Sequence, residues 1–233
     1  MLQSPPELDA LKEEGGVLVV DKPIEWSSLD AVKKIKYNLK IKKIGHAGTL
    51  DPLATGVLVM CTGQQTKAIS GIQEQEKEYL AKVQLGATTR SFDSETEPEN
   101  PKPTDHLTQE KIEQALEEFR GDIRQIPPSY SAVKIKGKRA YKMARKGEDV
   151  DLHPRLVTLH ELELMAWNPQ AAELDLRVVC SKGTYIRSLA HDIGQALQCG
   201  GYLKGLVRTR VGEYRLETAR TPQEWVDVYK KDK

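Results

Sequence analysis

The chain lacks any apolar run of the roughly 20 residues that a membrane-spanning helix requires. Its first residues, MLQSPPELDALKEEGG, lack both the basic flank and the apolar centre of a secretory signal peptide. With 233 residues, of which 39% are hydrophobic and 30% charged, the chain is long enough to bury a core of its own. We therefore expect a globular protein of the cytoplasm with no membrane partner.

Cysteine is scarce, and its spacing argues against two kinds of stabilised scaffold. Cys61, Cys180 and Cys199 form no CxxC pair and no His/Cys cluster of zinc-binding spacing. The five histidines show no metal-ligand spacing either. We expect buried, reduced thiols rather than a disulfide framework or a structural metal site.

The net charge is only +1, but acidic and basic residues are segregated along the chain. Six of the eleven residues 33–43 are lysine, and seven of the thirteen residues 134–146 are lysine or arginine. Residues 93–118 hold nine acids against two lysines. Segregated basic patches can bind phosphate, although a charge run by itself more often marks a solvated face. The charge distribution is therefore compatible with a nucleic-acid partner but does not by itself establish one.

Hydrophobic periodicity predicts an irregular alternation of strands and helices. Strands are predicted for residues 16–23, 56–63, 79–86, 156–164, 173–180 and 210–216. Helices are predicted to begin after Ser27, with Leu29 on the buried face, after Thr108 and after Thr221, and to cover residues 186–197. Residues 1–14 are predicted to form a polar arm. The order indicates a mixed α/β (α+β) fold whose central sheet is largely antiparallel.

One carboxylate, Asp51, lies in the loop GHAGTLDPLATG, residues 45–56. Pro52 biases Asp51 toward an extended backbone, and Gly48 and Gly56 allow geometry or close approach that other residues obstruct. Such a loop can present a single carboxylate to a cleft. An ordinary Asp-Pro turn before a helix explains the same residues, and Asp51 alone does not decide between them.

Arg187, in SKGTYIRSLAHDIG, is predicted to lie in the first turn of a helix. The helix dipole disfavours a cation there by a few tenths of a kcal/mol to about 1 kcal/mol. An arginine that pairs with Asp51 across a cleft would hold that carboxylate ionised, whereas an arginine that extends into solvent would have no such role. A triad of Ser188, His191 and Asp192 is excluded, because neighbouring helical residues do not converge on one point.

Several motifs occur in one order along the chain: VDKPIEWSS, GHAGTLDPLATGVLVMCTGQQTK, KEYLAKVQLGATT, IPPSYSAVKIKGKRAYKMAR, CSKGTYIRSLAHDIG and LVRTRVGEY. In this order they resemble the TruB family of tRNA pseudouridine synthases, over about residues 16–214. The resemblance implies the pseudouridine synthase fold and isomerisation of the T-loop uridine of tRNA that becomes pseudouridine 55. It also implies that no metal or other cofactor takes part, and it predicts tRNA as partner through its T stem-loop.

The resemblance also implies roles for individual residues. Asp51 corresponds to the nucleophile, Tyr79 to the tyrosine that stacks on the base and is the candidate for proton abstraction at C5, and Arg187 to the arginine that pairs with the nucleophile. The substrate-binding residues implied are His46, beside the flipped nucleotide, Tyr185 and Leu206, which line the pocket, and Lys22, whose motif supports the catalytic loop. Extracting the base from its stack costs a few kcal/mol.

The resemblance further predicts one catalytic domain, residues 1–233, with an RNA-gripping insertion at about residues 125–150. Many family members continue into a separate C-terminal RNA-binding domain, whereas this chain stops about 20 residues beyond Arg210. We therefore expect no such domain and an affinity that rests more on the basic patches. We also expect a monomer that needs no protein partner. Arg90 departs from the family, which often has an acid at that position. An RNA-binding or tRNA-folding module with incidental catalysis remains an alternative, as does a guide-dependent relative that modifies ribosomal RNA.

Overall fold

The computed structural model describes residues 7–131, 134–135, 137–146 and 152–230. Its strands are β1 (Val17–Lys22), β2 (Ile44–His46), β3 (Ala54–Thr62), β4 (Lys77–Leu85), β5 (Gly121–Gln125), β6 (Lys134–Ile135), β7 (Lys138–Arg139), β8 (Arg155–Asn168), β9 (Glu173–Cys180), β10 (Gly201–Val211) and β11 (Tyr214–Arg215). Its helices are α1 (Leu8–Glu13), α2 (Ser28–Leu39), α3 (Ile69–Glu74), α4 (Gln109–Glu117), α5 (Ala140–Ala144), α6 (Ile186–Ala196) and α7 (Pro222–Lys230). Two compact units result, Met1–Tyr79 with Val207–Lys233, and Leu80–Leu206.

Strand β3 is the centre of the first unit. Strand β1 pairs with it antiparallel, from Val17 opposite Cys61 to Lys22 opposite Gly56, and β2 also pairs with it antiparallel. Nearly every residue of β3 is buried. The apolar cluster around it comprises Ala47, Val57, Val59, Cys61, Ile72 and Val211. The catalytic-loop candidate, between β2 and β3, is therefore anchored at both ends in the core of this unit.

Helices α2 and α7 pack against each other in the first unit, and both begin at the predicted residues, with a capping box. In α2 the Ser27 side chain accepts from the backbone N–H of Asp30, and the Asp30 carboxylate accepts in return from the backbone of Ser27. The prediction for Leu29 is wrong, since 55% of it is exposed. The buried face of α2 is rotated from the predicted one and comprises Ser28, Ala31, Val32, Ile35 and Leu39.

The second unit contains a sheet in the order β4-β9-β8-β5, in which β9 and β5 each pair antiparallel with β8. Strand β9 matches the predicted range 173–180, and Leu174, Leu176, Val178 and Cys180 on one face of it are buried. Helices α4 and α6 contact each other, and the apolar side chains Ile186, Leu189, Ala190 and Ile193 of α6 are buried. The mixed α/β fold with antiparallel neighbours is confirmed. None of the helices in the described ranges has the length and apolarity that a membrane crossing requires.

Two local predictions are wrong. The N-terminal arm contains helix α1, because Leu11 is fully buried and fixes one turn of the chain to the first unit. The predicted strand at residues 210–216 is a hairpin, in which β10 ends at Val211, Gly212 turns with φ of 53° and β11 returns. Within the predicted insertion, β6 pairs antiparallel with β7 and α5 follows. Residues 132–133, 136 and 147–150 of that insertion lie outside the described residues.

Candidate functional site

The loop that carries Asp51 is shaped by Gly56, the third residue of β3. Gly56 has a φ of 97°, and a Cβ at this position would lie 2.3 Å from the backbone oxygen of Arg208. Both the dihedral and the lack of space require glycine. The start of β3, directly after the loop, therefore has a position that no other residue type fits without rearrangement.

Lys22 is the buried cation that holds the loop on one side of Asp51. Its side chain is fully buried at the end of β1, and its Nζ donates to the carbonyls of Pro23 at 2.9 Å, Trp26 at 2.5 Å and Pro52 at 3.3 Å. Burial lowers the pKa of Lys22 to about 8, against the opposing effect of the Asp51 carboxylate. The Lys22 ammonium thus interacts electrostatically with Asp51 and holds the carbonyl of Pro52, the residue that follows Asp51.

Ser28 holds the loop on the other side of Asp51. Its hydroxyl donates to the carbonyl of Leu50 at 3.0 Å and accepts from the N–H of Leu50 at 2.8 Å. Ser28 is the first residue of α2 and is buried. The nucleophile candidate therefore lies between two residues whose backbones are bonded to buried side chains, both supplied by the motif VDKPIEWSS.

Arg208, which the sequence did not single out, is bonded to Gly48 of the same loop and to Val57, the residue after it. This arginine of β10 is 2% exposed, and its Nε donates to the carbonyl of Val57 at 2.7 Å and its Nη2 to that of Gly48 at 3.1 Å. A buried guanidinium with its donors fixed by carbonyls keeps its charge close to the loop. The only available signal was its place in the motif LVRTRVGEY.

His46 and Tyr79 lie in the same unit as the loop. His46 ends β2, opposite Met60. Burial lowers its pKa, a hydrogen bond with the backbone of Gly48 opposes this, and the charge of Arg208 lowers the pKa further. Its Nδ1 is buried and has no hydrogen-bond partner among the residues that the structure describes. Tyr79 is on the buried face of β4 and is 8% exposed. Burial therefore favours the neutral form of the His46 imidazole.

Arg187 is buried in the second unit, as the second residue of α6. Its Nη1 donates to the carbonyl of Ser91, and both Nη1 and Nη2 donate to the carbonyl of Tyr130, each at 3.1 Å. Its Nε lies 3.6 Å from a carboxylate oxygen of Asp93. Arg187 lies in the first turn of α6, as predicted, where the helix dipole disfavours a cation. The carbonyl and carboxylate acceptors offset that cost.

The segment that bonds to Arg187 through Ser91 and Asp93 includes a residue with a strained backbone, Phe92. Phe92 has a φ of 63°, which is rare for a bulky side chain, and its ring stacks on that of His191 at a centroid distance of 3.9 Å. His191 lies one helical turn beyond Arg187 on α6, so the same helix holds this segment at two points. Asp93 was not identified from the sequence, because nothing local distinguishes it from the other acids of its surface loop. Arg90 is exposed, with its Nε 3.5 Å from Glu99.

The two pocket-lining candidates of the second unit are half-buried. Tyr185 precedes α6, and its backbone is fixed by the side chain of Gln125, which accepts from the N–H at 2.7 Å and donates to the carbonyl at 3.0 Å. Leu206 lies in β10. Ser188 donates to the carbonyl of Ile126, which agrees with the exclusion of a triad. Across the part of the chain that the structure describes, no three His, Cys, Asp or Glu side chains converge as metal ligands would.

The chain is similar to known proteins over nearly its whole length. A model of the TruB family pseudouridylate synthase N-terminal domain matches residues 36–186, and one of the tRNA pseudouridylate synthase B C-terminal domain matches residues 187–233. Proteins named tRNA pseudouridine synthase B from Phocaeicola vulgatus and Bacteroides fragilis are 53% and 51% identical over 92% of this chain, which covers 94% and 95% of their lengths.

Solved structures show the same fold. A structure described as a Cbf5-Nop10-Gar1 complex matches 97% of this chain with a TM-score of 0.75 and 31% identity. A structure of an H/ACA RNP bound to a substrate RNA containing 2'-deoxyuridine matches 97% of it with a TM-score of 0.71 and 28% identity. This chain covers 59% and 58% of the lengths of those two chains.

Proposed function

Because this chain belongs to the TruB family of pseudouridylate synthases, we propose that it converts the T-loop uridine of tRNA to pseudouridine 55. Relatives named tRNA pseudouridine synthase B share about half of its residues over most of its length. The observation that carries the proposal is the fixed position of one carboxylate, Asp51, between Leu50 and Pro52. Ser28 holds the first of these and Lys22 the second.

The reaction explains why one carboxylate is sufficient. The bond between the sugar and N1 of uracil breaks, the base turns within the pocket, and the sugar is joined to C5. A proton leaves C5 and N1 gains one, so no water, oxidant or metal is consumed. A glycosidase needs a second carboxylate to protonate a departing group or to activate water. Here the base stays in the pocket, and Asp51 can act alone as a covalent nucleophile.

Individual roles follow the resemblance and agree with the local chemistry of each residue. Tyr79 would stack on the flipped uracil and take part in removing the C5 proton, and Arg187 would pair with the nucleophile. His46, whose neutral form is favoured by burial, suits a contact with the flipped nucleotide. Tyr185 and Leu206 would line the base pocket, and Lys22 would act by holding the loop.

We propose the T stem-loop of tRNA as the partner, gripped in part by the basic insertion at about residues 125–150. Residues 1–233 would act as a single catalytic domain, as a monomer in the cytoplasm and without a required protein partner, whereas the Cbf5 of the solved relative is part of a complex. Light scattering of the purified protein, alone and with equimolar tRNA, tests the proposed monomer. A stable dimer would contradict it.

The activity is tested by release of tritium from tRNA transcripts whose uridines are tritiated at C5. Isomerisation replaces the C5–H bond with a bond to the sugar, so one tritium per tRNA should enter the water without added metal or cofactor. A transcript with cytidine at the target position is the matched control. No release after prolonged incubation with stoichiometric protein would refute the proposal.

A further inference from the structure

One face of α2 and the turn that follows it carry an exposed aromatic ring among lysines. We define the α2 lysine surface as Lys33, Tyr37, Lys40, Lys42 and Lys43, all of which are exposed. Tyr37 is 70% exposed. Lys33 is four residues before Tyr37 on α2, a spacing at which helical side chains are neighbours. Lys40 caps the end of the helix, so the ring has one lysine beside it on the helix and three more in the residues that follow.

Folding of the first unit does not account for this surface. The buried face of α2 is the opposite one, and the ring of Tyr37 contributes little to it. A lysine near a helix C-terminus is favourable in itself, which accounts for Lys40. Lys42 and Lys43 lie beyond the end of the helix, where that effect does not reach.

Positive charge also exceeds negative charge at this surface, where the carboxylate of Asp30 interacts with Lys33. Residues 31–50 contain no acid. Among the described residues, Lys33, Lys40, Lys42 and Lys43 have no acidic side chain within salt-bridge distance. Lys230 of α7 donates to Asn38, the residue after Tyr37 in sequence, at 3.0 Å. Such a field attracts a polyanion and disfavours cationic partners.

We propose that the α2 lysine surface is a second RNA contact, at which Tyr37 stacks on an unpaired base of the tRNA and the lysines bind the flanking phosphates. An aromatic ring interleaved with cations is the usual composition of a single-strand contact. A protein partner fits less well, because Leu29, the other exposed apolar side chain of this helix, lies eight residues from Tyr37, about 12 Å along the axis. The two do not form the continuous apolar centre of a stable interface.

The position of the surface specifies which part of the RNA it meets. Lys43 precedes His46 by three residues, which span at most about 10 Å of chain. His46 is the residue that the proposed function places beside the flipped nucleotide, so the inference rests on that function for the identity of the RNA. The bound segment then lies close to the target uridine, and its grip is separate from that of the basic insertion.

Equilibrium binding of fluorescent tRNA, in an Asp51→Asn background that cannot turn over, tests the surface. Tyr37→Ala should weaken binding about tenfold, since a base stacked on an aromatic ring contributes between a few-fold and about 100-fold. Tyr37→Phe, which still stacks, should bind within about twofold of the parent. Lys204→Gln is the control, because Lys204 is exposed but paired with Glu173.

A salt titration of RNA binding measures the contribution of the lysines separately from that of Tyr37. The double variant Lys42→Gln/Lys43→Gln should reduce the slope of log K against log salt by about 1.4 to 1.8, the loss of two phosphate contacts. Parental affinity of Tyr37→Ala, or a parental salt slope of the double variant, would overturn the proposal. Binding is measured without turnover, so a wild type that fails to release tritium refutes the proposed activity and leaves this test intact.

Discussion

The Nε of Arg187 lies 3.6 Å from a carboxylate oxygen of Asp93, and the two side chains are only 5% and 7% exposed. The carbonyls of Ser91 and Tyr130 occupy other donors of the same guanidinium. Removal of one member of a buried ion pair leaves an uncompensated charge, which is costly. Asp93 is therefore a determinant of where the Arg187 guanidinium lies.

Asp93→Asn should reduce the single-turnover rate about 10- to 100-fold, because a displacement of a catalytic group by about 1 Å has effects of that size. Rapid-quench measurement of pseudouridine at saturating enzyme gives the rate, and thermal unfolding verifies that the variant folds. Glu99→Gln is the control, since its partner Arg90 is exposed. A folded Asp93→Asn enzyme with the wild-type rate would show that the pair has no effect on catalysis.

Gly56→Ala should lower the free energy of unfolding by about 2 to 4 kcal/mol, from the positive φ and from the overlap with the Arg208 backbone. Activity should fall with it, because β3 and the Asp51 loop must shift. Gly71→Ala, in exposed α3 with no heavy atom within 4 Å of the added Cβ, should instead stabilise by about 0.5 to 1 kcal/mol. Chemical denaturation of both variants makes the comparison, and equal effects would contradict the packing argument.

The pKa of Lys22, lowered by burial to about 8, predicts opposite pH trends for activity and stability. Above about pH 8 the folded protein loses the cation near Asp51 and one donor proton of its carbonyl contacts, so the rate should fall. The unfolded chain keeps the Lys22 proton up to its ordinary pKa of 10.5. Since unfolded chains bind more protons between these values, the contribution of Lys22 to the free energy of unfolding rises with pH there.

Rate and stability profiles from pH 6 to 10 verify both trends for Lys22. Lys22→Met should be less active throughout, with neither the alkaline fall in rate nor the rise in stability. An alkaline fall with the same midpoint in Lys22→Met would assign the titration to another group.

Arg208→Lys should reduce the rate constant of the chemical step more than the affinity for tRNA, because lysine cannot reproduce the fork that bonds Val57 and Gly48 together. A reduction of about tenfold is expected. Exposed Arg215 supplies the control Arg215→Lys. Separate determination of the binding constant and the single-turnover rate distinguishes the two effects, and a loss confined to affinity would contradict a role in loop geometry.

Local patterns were sufficient to predict much of the fold. The capping boxes at Ser27 and Thr221 are properties of four consecutive residues, and the alternation in β9 reflects a strand with one buried face. Strand β10 was missed because Gly201, Gly205 and buried Arg208 interrupt its apolar pattern. Leu29 was assigned to the buried face because apolar character alone does not specify the rotation of a helix.

Local features single out Asp51 and Arg187 as candidates without deciding their roles. The family motifs add Tyr79 and imply a role for each of the three, and those roles stay predictions. Asp93 and Arg208 emerge from buried contacts between segments far apart in sequence, 94 residues in the pair Asp93–Arg187. The strained φ of Phe92 is likewise imposed by tertiary contacts, since its local preference is for negative φ.

The central claim is that Asp51 isomerises one uridine of tRNA, and nucleotide-resolution mapping of pseudouridine in treated tRNA tests it most directly. Wild-type protein should produce a single new pseudouridine, at the T-loop position. Asp51→Asn should produce none while it still binds tRNA. Modification at another position, or substantial modification by Asp51→Asn, would contradict the assignment.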